Sequence, residues 1–117
     1  MKKLVKESLF EGKRSAEREV KRFFSDYHNQ IRVLGEWVNK MEEIFKDYLP
    51  FDPNNEDAIS DCQNIWWLEV VEPGWEVPTI QEKFSDEIYD TDAYQEFSDK
   101  IVDEALEKLG LPREIVE

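Results

Sequence analysis

At 117 residues, with 40% hydrophobic and 37% charged residues and a mean hydropathy of -0.70, the chain suits one polar-surfaced domain with a modest core. It contains no apolar run near the roughly 20 residues needed to cross a bilayer, and 28 acidic against 15 basic residues weigh against direct nucleic-acid binding. Cys62 is the sole cysteine, which excludes an internal disulfide and points to a reducing, cytoplasmic compartment.

The charge is unevenly spread. Met1 to Arg22 carries eight basic and four acidic residues, whereas from Met41 to Asp99 only Lys46 and Lys83 oppose 17 carboxylates. A field of that sign steers a protein towards basic surfaces. The same charge also serves plain solubility.

Residues 1–14 read as a short basic N-terminal helix or arm, with Leu4, Val5, Ser8 and Leu9 on one side and Gly12 as terminator. Lys6, Glu7 and Glu11 interrupt any signal-peptide hydrophobic region.

The dominant signal lies between Ser15 and Leu49. Val20, Phe24, Tyr27, Ile31, Leu34, Val38, Met41, Phe45 and Tyr48 recur in steps of four and three. Only an α-helix sets such positions on one side, so one helix roughly 50 Å long is predicted over 15–49. Phe23, Trp37 and Ile44 widen the stripe to a face suited to a core. Ser15 is the expected N-cap, and Pro50 the expected stop. Glu17 with Lys21, Arg32 with Glu36, Glu36 with Lys40, and Glu42 with Lys46 stand at i,i+4 and suit a solvated face. Gly35 marks a kink or a close approach of another backbone. The heptads also suit a coiled-coil oligomer. Aromatic residues in the seam and Gly35 favour packing within one chain, hence a monomer, with a homo-oligomer as the alternative.

Residues 50–90 form a connecting region. Phe51 to Asn55 is a turn, and Glu56 to Gln63 suits one or two helical turns capped by Asn54 or Asn55, with Ala58, Ile59 and Cys62 inward. Two readings compete for the next stretch of chain. Ile65 to Val71 and Trp75 to Ile80 suit a hairpin about Pro73-Gly74, with Pro78 confining the second strand to an edge. Alternatively Glu56 to Val71 is one helix with Ile59, Cys62, Ile65, Trp66 and Glu69 inward, leading into an irregular loop. Gln81 to Tyr89 suits a short helix on Phe84, Ile88 and Tyr89.

Residues 91–110 hold a last helix, capped by Thr91 or by Asp92 in a capping box with Gln95, and stopped by Gly110 and Pro112. Its inward face is Tyr94, Phe97, Ile101, Ala105 and Leu109, with Val102 and Leu106 beside it. In the tail, 111–117, Ile115 and Val116 are placed to cover the end of the core. The predicted fold is therefore mainly α: a long central helix, a packed C-terminal helix, and a short β-hairpin or irregular loop between them.

Chemistry-bearing patterns are sparse. His28, the only histidine, falls off the stripe and reads as a surface residue. Cys62 has no local cation to lower its pKa and reads as a small buried apolar residue. One Cys and one His cannot build a zinc site. Asp52 to Glu56 alternates oxygen ligands like the start of a calcium loop, but Asp57 replaces the glycine and Gln63 the bidentate glutamate. An acidic-site metal enzyme would need a cation-dependent activity lost on changing Asp90 or Asp92. No cofactor and no enzymatic activity are expected.

Trp66 and Trp67 are adjacent, so they point apart in helix or strand alike. An aromatic anchor amid carboxylates is the make-up of a protein-binding patch. The candidate partner-binding residues are Trp67, Trp75, Glu69, Glu72, Glu76, Asp86, Glu87, Asp90 and Asp92.

The opening Met-Lys-Lys-Leu-Val-Lys-Glu-Ser-Leu resembles the start of many small proteins of large bacteriophages, over nine residues and without a functional motif. Size and charge are similar to those of phage-borne inhibitors of host defences such as anti-CRISPR proteins. That resemblance implies an acidic inhibitor occupying a nucleic-acid channel of a host protein. The expected function is an interaction module for a basic protein surface, or alternatively an assembly component using the heptad helix.

Overall fold

The computed structural model describes residues 15–84 and 86–117, with the side chains of Asp86 and Glu87 left aside. The expected N-terminal arm and its terminator Gly12 lie outside the described residues, and Ser15, the expected N-cap, is already helical. Among the described residues five α-helices succeed one another: α1 (15–25), α2 (Tyr27–Ile44), α3 (Ala58–Trp66), α4 (Pro78–Lys83) and α5 (Asp92–Leu109). A π-helical turn, Trp67–Val71, extends α3, and 3₁₀ turns occupy Lys46–Tyr48, Asp86–Asp90 and Arg113–Val116. The fold is mainly α, as expected.

The predicted single helix over 15–49 is broken near each end. At Asp26 the backbone is extended (φ -85°, ψ 118°), and its carboxylate accepts the backbone N–H of His28 at 2.9 Å, so Asp26 caps α2. Three further side chains close the break. Ser25 donates to the Arg22 carbonyl at 2.6 Å, Asn29 to the Phe23 carbonyl at 3.0 Å, and Gln30 to the Phe24 carbonyl. Short polar side chains offer the backbone this local alternative to helix. The far end of α2 is Ile44, five residues before Leu49, and Pro50 comes after a 3₁₀ turn and a cis Leu49–Pro50 bond.

The break changes which residues face inward. Val20, Phe23 and Phe24 of α1 are buried, as are Val33, Trp37 and Met41 of α2 and Phe45 just beyond it. The buried row of α2 advances in steps of four (33, 37, 41, 45), the ridge that ordinary globular helix packing uses, and not in coiled-coil steps. α5 supplies the facing wall with Tyr94, Ile101, Val102, Ala105 and Leu106, and Phe97 stacks on Phe24 with centroids 4.8 Å apart. Phe23 meets Phe24 and Phe84 edge-on at 5.0 and 5.4 Å.

None of the four i,i+4 pairs closes as an ion pair among the described residues. Glu36 instead accepts the Thr79 backbone N–H at 3.0 and 3.1 Å, capping α4, and Lys40 lies over the Trp75 ring at 5.7 Å. Lys46 falls outside α2 altogether.

The hairpin is absent: no strand occurs among the described residues. Val71 and Gly74 join in a helix-terminating motif, with Trp75 N–H on the Val70 carbonyl (3.0 Å), Gly74 N–H on the Val71 carbonyl (3.2 Å), and Gly74 left-handed at φ 67°. Pro73-Gly74 thus ends a helix, and Pro78 starts the next at its first turn instead of marking an edge strand. Gly110 ends α5 in the same way, with φ 68° and Leu111 N–H on the Leu106 carbonyl at 2.9 Å. The cap of α5 is Thr91, whose hydroxyl accepts the Tyr94 N–H and donates to the Ile88 carbonyl. Asp92 is the first helical residue, and Gln95 reaches the Tyr89 carbonyl, so the capping box with Asp92 does not form. Ile115 is buried at the end of the core, where Gln63 holds the Glu114 carbonyl at 2.9 Å.

Candidate interaction surfaces

α3 sets out with Ala58 and Cys62 inward and Ile65 and Trp66 half-buried, and α-helical spacing would bring Glu69 in on the following turn. The π turn admits one extra residue, so Val70 is buried in its place and Glu69 is exposed. The Glu72 N–H closes the wide turn on the Trp67 carbonyl at 2.8 Å. Burying a carboxylate without a partner is costly, and the widened turn avoids it.

The same turn divides the two adjacent tryptophans. Trp66 stacks on Trp37 (centroids 5.7 Å, planes 26° apart), and Trp75 meets Trp37 edge-on at 4.7 Å. Trp67 points away from this cluster and is 56% exposed, with Leu68 and Val71 exposed beside it in sequence. Glu69 and Glu72 are exposed within and just after the same turn. An apolar patch bordered by carboxylates results.

The remaining candidate residues are dispersed in role. Trp75 is half-buried in the Trp37 cluster under Lys40. Glu76 is exposed and accepts a hydrogen bond from Gln81. Asp90 and Asp92 flank the Thr91 cap and are exposed. Asp86 and Glu87 begin the 3₁₀ turn before them, and their side chains lie outside the described set.

A second apolar surface lies on α2, along the heptad stripe that also suits a homo-oligomer. Tyr27, Ile31, Leu34, Gly35 and Val38 form one wall of a groove of about 580 Å³, and Glu104 and Lys108 of α5 stand on the other. Its signal in the sequence is the middle of the heptad stripe, a pattern that equally marks a core.

The titratable groups show structural chemistry. Burial, then the Asp61 charge, pushes the Cys62 thiol up, which holds it protonated. Tyr48 donates to Asp61 at 2.8 Å, and this bond raises the phenol above its ordinary value. Burial, then Tyr89, pushes Tyr94 well up, against an opposing hydrogen bond with Ser98. Asp52 and Asn55 use their side-chain oxygens to accept the Asn54 and Asp57 N–H groups. No group of three His, Cys, Asp or Glu among the described residues could hold a metal ion, and no described helix is long and apolar enough to cross a membrane.

Against protein families, curated proteins and solved structures, the chain finds no match.

Proposed function

We propose that this chain is a non-enzymatic interaction module whose acidic surface docks on a basic groove of a partner protein. Trp67, Leu68 and Val71 supply the apolar anchor, and Glu69 and Glu72 the charged border. The observation that carries this reading is the outward Trp67, held in a π turn next to carboxylates. Solubility alone accounts for the carboxylates but not for three large apolar side chains exposed among them. Desolvated aromatic residues are the commonest energetic centres of interfaces, and a charged rim sets encounter rate and specificity.

A groove built to hold nucleic acid is the basic surface such a module fits best, so the partner class is a nucleic-acid-binding protein. The module would block its channel or mimic its ligand, in keeping with the resemblance to phage-borne inhibitors of host machinery. A reducing cytoplasm suits the single free, buried Cys62.

The test is capture from host-cell lysate with tagged wild type, Trp67→Ala and the double variant Glu69→Lys/Glu72→Lys, in low and in physiological salt. A nucleic-acid-binding protein retained by wild type in low salt, released by salt and lost with both variants supports the reading. Capture indifferent to salt or to Trp67→Ala contradicts it.

A further inference from the structure

The groove on α2 faces a different occupant from the Trp67 patch, and does not depend on it. We propose that a second copy of this chain covers Tyr27, Ile31, Leu34 and Val38, with the two α2 helices crossing antiparallel about a two-fold axis.

The spacing carries the first argument. From Tyr27 the stripe steps four, three and four residues, a pattern that reads the same in both directions. An antiparallel pairing therefore sets Tyr27 against Val38 of the second copy and Ile31 against its Leu34, and both relations hold again with the copies exchanged. That reciprocity is the condition of a two-fold interface. Large meets small and medium meets medium, so the paired volumes match along the seam.

Gly35 carries the second, and the open space around it reverses its reading as a residue that favours packing within one chain. It is exposed in mid-helix, and a Cβ built on it would meet nothing within 4 Å in its own chain. The fold of one copy thus gains nothing from glycine there and forgoes helix propensity. In the antiparallel pairing, Gly35 stands opposite Gln30 of the second copy, where the missing side chain lets the backbones approach.

Charge carries the third. Two copies of net charge -13 repel over most of their surface. The groove is locally balanced, with one carboxylate from Glu104 and one ammonium from Lys108, whereas the π turn that presents Trp67 carries carboxylates alone. A like-charged copy fits the groove, and a basic partner fits the Trp67 patch. The stripe spans only about 16 Å of helix, so the pair is weak and concentration-dependent.

Sedimentation equilibrium of the full chain tests this, with wild type, Ile31→Glu, Gly35→Leu and Trp67→Ala compared at ionic strengths of about 0.1 and 1 M, between which the Debye length shrinks from about 10 to 3 Å. The wild-type mass is expected to climb from 14.0 kDa towards twice that value with concentration, and further in high salt as repulsion is screened. Ile31→Glu and Gly35→Leu hold the mass at 14.0 kDa with an unchanged helical spectrum, and Trp67→Ala leaves association intact. A wild type that stays at 14.0 kDa under all conditions overturns the proposal, as does association that survives both groove variants. A monomer whose Tyr27 resists hydroxyl-radical labelling would mean that residues 1–14 cover the groove, and would overturn it equally.

Discussion

Tyr27 and Met41 stand two heptads apart on one nominal line of α2, yet Tyr27 is 70% exposed and Met41 is fully buried. Leu34, midway, is half-buried. The parallel line runs from Ile31 at 47% exposure through half-buried Val38 to fully buried Phe45. A straight α-helix drifts about 20° per heptad against a seven-residue repeat. Two heptads of drift carry a residue from the rim of a face well into it. The stripe is therefore a diagonal across α2, half of it core and half of it surface.

This division predicts unequal costs along one sequence pattern. Phe45→Ala should destabilise the fold by about 3–5 kcal/mol through the cavity it leaves. Tyr27→Ala, measured in dilute solution, should lie within about 0.5 kcal/mol of wild type. Denaturant titration of the two variants checks this, and equal costs would mean that the stripe packs along its whole length.

The cap between α1 and α2 makes a separate prediction. Asp26→Ala removes the acceptor for the His28 N–H and should cost about 1 kcal/mol. Asp26→Ser, which keeps an acceptor, should recover most of that loss. If both variants match wild type in denaturant midpoint, the break is held by the Asn29 and Gln30 side chains and not by the cap.

Legibility in the sequence differs from residue to residue. The inward face of α5 and the stop at Gly110 are legible, because apolar periodicity and the left-handed preference of glycine are local, whereas Gly74 reads as a hairpin turn because a left-handed glycine suits a turn as well as a helix end. The break at Asp26 is not, since apolar positions continue through it and four weak side-chain bonds at Ser25, Asp26, Asn29 and Gln30 decide against one helix. β-Branched and aromatic residues at 65–71 favour a strand by propensity. Burial of Val70 in place of Glu69, and the stacking of Trp66 on Trp37, are tertiary effects that override it. Trp67 is legible as a divergent neighbour of Trp66, whereas the direction in which it diverges depends on the π turn. The groove on α2 is legible only as a heptad stripe that suits either an oligomer or a core, because the same pattern marks both.

Gly35→Ala should stabilise the monomer by about 1 kcal/mol, because the new methyl group meets open space and the helix gains propensity. Thermal unfolding at low protein concentration reads this directly. A destabilised variant would place an undescribed part of the chain against Gly35.

Alkaline pH should weaken the fold through Tyr94. Its folded pKa lies above the unfolded value of about 10, so its contribution is complete below pH 10 and is lost as the pH rises from there towards the folded value. Tyr94→Phe cannot ionise and should flatten that decline in a pH series of denaturation midpoints. A decline of the same steepness in the variant would assign the alkaline loss to other groups.

The proposed docking surface centres on Trp67 and its carboxylate border, and the most direct measurement is a titration of the captured partner against wild type and Trp67→Ala at low and physiological salt. The expected result is at least a tenfold loss of affinity for Trp67→Ala, about 1.4 kcal/mol, and weaker wild-type binding in the higher salt. Equal affinities for the two proteins, or binding that salt leaves unchanged, would contradict it.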